Sequence, residues 1–160
     1  MPKDSYGLVL LVEDNAMQRR LYTDVLRAQG FTVFATENVK DAERFVRDNA
    51  PSVILLDVMM PEVDGIEGCA RFRKVLGDSI PILFLTAADT MEMVMAAMKA
   101  GGDDYIVKSG PPVTLAERVK KWHDTPSGDL PERRAKVIAV LEARARSPQV
   151  AARTPGAAKS

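Results

Sequence analysis

The chain contains one cysteine, Cys69, and one histidine, His123, among 160 residues. A lone thiol has no partner for a disulfide or a thiol metal site, and on a helical face with Phe72 and Leu76 it reads as a small buried side chain. His123 falls at the end of the last β-α unit, where a helix-terminus charge or plain solvation explains it better than a metal or catalytic role. No apolar run is long enough to span a bilayer, and the start Met-Pro-Lys-Asp-Ser-Tyr lacks the apolar core of a signal peptide, so a cytoplasmic protein without membrane contact is expected. Charge of one sign is not in excess either: Lys plus Arg and Asp plus Glu number 22 each, which gives no overall pull toward nucleic acid or membrane. Neither G-x-G-x-x-G nor a P-loop is present, so nucleotide binding finds no support. There is no internal repeat.

What remains is ordinary globular material, 46% apolar and 28% charged, in the size range of one domain with a substantial core. Short apolar runs alternate with helical periodicity: Met17, Leu21 and Val25; Val39, Ala42 and Val46; Leu115, Val119 and Trp122. Asn15 with Gln18, Asp64 with Glu67, and Asp89 with Glu92 have the cap-x-x-Glu/Gln form of helix starts, while Gly30 and Gly101 stand where helices should end. Five β-then-α units follow, which predicts an α/β fold with a right-handed, doubly wound parallel sheet and helices on both faces.

Four of the apolar runs stop at residues that phosphoryl chemistry can use. Leu8–Val12 stops at Glu13 and Asp14, Val53–Leu56 at Asp57, Ile82–Leu85 at Thr86, and Tyr105–Val107 at Lys108. In an open α/β sheet the ligand site lies outside the carboxyl ends of the strands, so one edge collects three carboxylates, a hydroxyl and an ammonium. Taken singly, each acid or Thr is an ordinary helix cap. Together, carboxylates repel by roughly 4 kcal/mol per pair at about 4 Å and an effective dielectric near 20, so a cation must offset them. Mg²⁺, a hard ion that takes oxygen ligands and keeps waters and phosphate oxygens, suits that place.

Over residues 5–124 the chain resembles the receiver domain of two-component response regulators. The resemblance rests on Glu13-Asp14, Asp57-Val-Met-Met-Pro61 with Asp64-Gly65, Leu85-Thr86-Ala87-Ala88, Gly101-Gly-Asp-Asp-Tyr-Ile-Val-Lys108, and Leu115 to Val119, all in the family's order and spacing. It implies the flavodoxin-like strand order 2-1-3-4-5. It further implies that Asp57 accepts a phosphoryl group from a histidine kinase or a histidine phosphotransfer protein. Asp14, Asp57 and the backbone carbonyl of Met59 would ligate Mg²⁺, with Glu13 acting through a water. Lys108 would pair with the phosphoryl oxygens, Thr86 would hydrogen-bond them, and Tyr105 would be the switch that follows Thr86 inward. A downstream protein partner would dock on the face of the fourth helix, fifth strand and fifth helix, with the chain a monomer or a phosphorylation-dependent dimer. Exposed methionines among Met91, Met93, Met95 and Met98 would make an adaptable patch there; packing into gaps is the plainer account. Met59 and Ala88 flank the expected path of hydrolytic water and cannot orient it by charge or amide.

The chief departure follows the lysine, where receivers normally carry a proline after a cis bond and this chain has Lys108-Ser109-Gly110-Pro111-Pro112. Register is kept, so substitution rather than insertion is expected, with the loop geometry in question. Residues 125–130 read as a linker, 131–146 as a further helix carrying Val137, Ile138, Val140 and Leu141, and 147–160 as a disordered tail. Residues 126–160 hold seven basic and three acidic side chains, yet the segment is too short for a helix-turn-helix, so direct DNA binding is not expected. The reading is a receiver that is not an enzyme beyond its own phosphorylation and dephosphorylation. Alternatives are a phosphorelay intermediate, a fragment of a larger regulator or hybrid kinase, an aspartyl-phosphate phosphatase, and a degenerate receiver that only binds partners.

Overall fold

The computed structural model describes residues 5–60, 62–87 and 91–146. The expected cap at Asp89, the Ala88 position and the tail 147–160 lie outside those residues. In chain order the elements are β1 (Leu8–Val12), α1 (Ala16–Ala28), β2 (Thr32–Thr36), α2 (Val39–Asp48), β3 (Val53–Asp57), α3 (Gly65–Leu76), β4 (Ile82–Thr86), α4 (Met91–Lys99), β5 (Asp104–Val107), α5 (Pro112–His123) and α6 (Leu130–Ala145). The five strands are all parallel in the order β2-β1-β3-β4-β5, as the resemblance implied.

Alternation along the strands divides the core into two layers. Val9, Leu11, Leu55 and Leu83 face α1 and α5, where Tyr22, Leu26, Leu115, Val119 and Trp122 meet them. Leu10, Val12, Ile54, Leu56 and Phe84 face the other way, onto Val39, Ala42, Val46, Cys69 and Phe72 of α2 and α3. Because β1, β3 and β4 are covered on both faces, their sequences are continuous apolar runs, and the chain's polarity changes abruptly only where each strand emerges. The caps at Asn15 and Asp64 form as expected, accepting from the backbone N–H of Gln18 and Glu67.

The C-terminal helical extension is α6, and it begins one residue earlier than the spacing indicates. Leu130, read as linker, is buried beside Trp122 and starts the helix after a 3₁₀ turn at Ser127–Asp129. Leu141 is buried against Val94 and Met98 of α4, with Met91, Met95, Val137 and Ile138 packed around them. Met93 instead packs into the α2–α3 layer. The methionine stripe of α4 is therefore covered by α6 rather than open. No described helix is long and apolar enough to cross a membrane.

Candidate functional site

The carboxyl ends of β1, β3, β4 and β5 converge because the strands are parallel and in register. Asp57 is the last residue of β3 and is paired with Leu85, one residue short of Thr86, which ends β4. Glu13 and Asp14 leave β1 in the turn before the Asn15 cap. Glu13 is fully buried and Asp14 exposed. Arg19, one turn into α1, donates to the backbone carbonyls of Glu13 (2.8 Å) and Asp14 (3.4 Å), so the helix itself fixes the acidic turn.

Lys108 reaches into this cluster from the end of β5. Its Nζ lies 2.6 Å from Glu13 Oε1 and donates to Asp57 Oδ2 at 3.0 Å and to Gln18 Oε1 at 3.0 Å. The other Asp57 oxygen, Oδ1, accepts from the Met59 N–H at 3.2 Å. The Lys108–Ser109 peptide is trans, as are the other described peptide bonds. The Lys108 N–H donates to the Thr86 carbonyl at 2.8 Å and Gly110 N–H to the Val107 carbonyl at 3.2 Å, so a tight turn holds the lysine in this sequence without the usual proline.

One ammonium does not balance two buried carboxylates. Burial, then the hydrogen bond with Glu13, pushes the Asp57 carboxyl up to about 7 against the opposing pull of Lys108. Burial by itself would lower the Lys108 ammonium, but its contacts with Glu13 and Asp57 outweigh that and raise it, so the lysine stays charged. Carboxylate oxygens of Glu13, Asp14 and Asp57 lie within 4.8 Å of one another. An all-oxygen donor set with uncompensated negative charge fits a hard dication and does not fit a soft one.

Thr86 is buried at the end of β4, and Tyr105 sits half-buried on β5, opposite Phe84. The Tyr105 ring touches both the α2–α3 layer and the α4–α6 cluster, and its hydroxyl accepts from Arg144 of α6 at 3.2 Å. Met59, assigned a carbonyl role by the resemblance, has an exposed side chain in the loop after Asp57. Three contributors were not read from the sequence: Gln18, Arg19 and the full part played by Gly65. A Cβ at Gly65 would lie 2.1 Å from the Asp57 carbonyl oxygen, so only glycine allows α3 to start this close to the acceptor. His123 packs tilted against Tyr6 and edge-on to Phe31 and pairs with Asp124, outside the Glu13–Asp14–Asp57 cluster. Cys69 is buried, its thiol pushed up to about 11 by burial.

The family model for the response regulator receiver domain matches residues 9–120. The response regulator MprA of Mycobacterium sp. (strain KMS) is 37% identical over 100 residues, which are 62% of this chain and 43% of that protein, so the chain spans about half the length of the curated relatives it matches. A putative response regulator from Chloroflexus aurantiacus superposes with a TM-score of 0.70 at 31% identity, covering 74% of this chain and 98% of that one. The receiver domain of the Pseudomonas aeruginosa sensor histidine kinase PA1611, with a magnesium ion coordinated in its active site cleft, gives 0.69 at 27% identity over 74% and 98%. The chain therefore belongs to the response regulator receiver domains, the two-component family whose members accept a phosphoryl group on an aspartate from histidine kinases.

Proposed function

We propose that Asp57 is the phosphoacceptor of this receiver and that a histidine kinase or a histidine phosphotransfer protein is the donor. The observation that carries the reading is the Lys108 ammonium shared between Asp57 and Glu13 at the mouth of β3. Asp57 Oδ1 or Oδ2 attacks phosphorus in line. The P–N bond of the donor's phosphohistidine breaks, its electron pair stays on the imidazole nitrogen, which takes up a proton, and an acyl phosphate forms. Lys108 keeps its charge and moves from the free carboxylates to a phosphoryl oxygen, offsetting the new negative charge. Asp14, Asp57 and the Met59 carbonyl, with Glu13 through a water, would hold Mg²⁺, which when bound neutralises charge on the transferring group. Met59 and Ala88 have neither an amide nor a charged side chain to orient hydrolytic water, so an acyl phosphate that is not unusually short-lived is expected.

The new phosphoryl oxygens also act on the strands. Thr86 donates to one of them, and Tyr105, two residues below the β4–β5 pairing at Thr86 and Val107, turns inward into the space left. The face of α4, β5 and α5 is then remodelled for a downstream partner.

Acetyl phosphate with Mg²⁺ should add one phosphoryl mass to the protein. Asp57→Asn should abolish that gain and chelation of Mg²⁺ should suppress it. Phosphorylation of Asp57→Asn at the wild-type rate, or indifference to chelator, would refute the assignment.

A further inference from the structure

Helix α6 lies on the same face that the proposed function assigns to output. Leu141 is 2% exposed between Val94 and Met98 of α4, Arg144 donates to the Tyr105 hydroxyl of β5 at 3.2 Å, and the Arg133 guanidinium sits 4.8 Å from the Trp122 ring of α5. Between α6 and the β5–α5 side of the face runs a groove of about 1170 Å³, lined among others by Tyr105, Arg118, Val137 and Arg144. We infer that α6 is an internal ligand of the α4–β5–α5 face and that phosphorylation of Asp57 releases its C-terminal half. The inference rests on the Asp57 reading above and extends it to regulation.

The two halves of α6 are held differently. At the N-terminal end Leu130 is buried in the α1–α5 layer, and Arg134 Nε donates at 2.9 Å to Asp103 Oδ1. Asp103 is itself fully buried and accepts from Arg73 (2.7 Å) and from the Ile82 N–H (2.8 Å), so this anchor belongs to the frame of the sheet. At the C-terminal end the partners are Val94 and the methionines of α4 and the Tyr105 ring, with Val137 touching both this cluster and the α1–α5 layer, and Arg144 donates to the Tyr105 hydroxyl. When Tyr105 turns inward, Arg144 loses its acceptor and Leu141 loses one wall. The segment from Val137 to Ala145 then loses the packing that holds it on the face, and the helix frays from its C-terminal end back toward the anchored half. Coupling is reciprocal: if the acyl phosphate disfavours docking, docking disfavours the acyl phosphate by the same factor.

Beryllofluoride with Mg²⁺ serves as the phosphoryl mimic on the full chain. Saturation should raise amide exchange at 137–145 and leave 130–134 protected. Arg144→Ala, an exposed change that does not threaten folding, and Leu141→Asp should each bind beryllofluoride about 5- to 10-fold more tightly than wild type. Asp57-dependent binding with unchanged exchange at 137–145, or with wild-type affinity in Arg144→Ala, overturns this inference and leaves the phosphoacceptor assignment standing. Failure of the wild-type chain to bind beryllofluoride through Asp57 overturns both.

Discussion

The Asp57 carboxyl is raised because its burial and Glu13 outweigh Lys108, and that imbalance has a sign that can be measured. Its unfolded value is 3.8 and its folded value about 7, so between those limits the folded chain holds a proton that the unfolded chain has released. Stability with metal chelated therefore falls as pH rises through that window and levels off above it. Asp57→Asn removes the effect. In chelator, the mutant should gain urea resistance over wild type at about pH 8 and gain little at about pH 5, and added Mg²⁺ should stabilise wild type most at the higher pH. An equal gain at both pH values would count against the charge imbalance. The residue types were legible in the sequence, since strands buried on both faces make any polar residue at their ends conspicuous. The partners of Lys108 were not. Gln18 was read only as the Gln of the Asn15 capping form, because hydrogen bonding across 90 positions leaves no trace in local spacing.

At the level of elements, the five β-α units were readable because each has its own period and cap, whereas the start of α6 was not. Leu130 looked like linker because the signal that makes it helix is tertiary, a side chain entering the pocket beside Trp122. The same holds for the Arg73–Asp103–Arg134 cluster, whose members come from α3, the β5 approach and α6 and share no motif. Asp103 carries full burial with two guanidinium donors, and removing one leaves a buried carboxylate short of compensation. Arg134→Met should lower stability by about 1–3 kcal/mol, while the exposed Arg146→Ala should stay within about 0.5 kcal/mol. Urea midpoints of the two variants check this. Equal midpoints would make the Arg134 contact an ornament of the surface and α6 an appendage.

For the whole molecule the question is whether α6 folds with the sheet. The receiver layers are continuous with it: Leu130 extends the α1–α5 core and Leu141 extends the α4 packing, and a fully buried leucine is worth roughly 1.5–3 kcal/mol each. Isolated, a helix of this length would be marginal, so its helicity depends on being docked. Trp122 is a reporter placed at the junction, buried in α5 under Arg133 of α6, with its indole N–H donating to Asp104 at 2.8 Å. Without phosphoryl mimic, urea unfolding followed by Trp122 fluorescence and by far-ultraviolet circular dichroism should give one coincident transition. Loss of helical signal ahead of the Trp122 transition would mean that α6 melts independently. With beryllofluoride and Mg²⁺ the Trp122 midpoint should rise, by about 2.7 kcal/mol of stability at 100 times the dissociation constant, because the mimic binds the folded chain alone. The helical signal should then begin to fall earlier, since the C-terminal half of α6 no longer shares the stability of the sheet that released it.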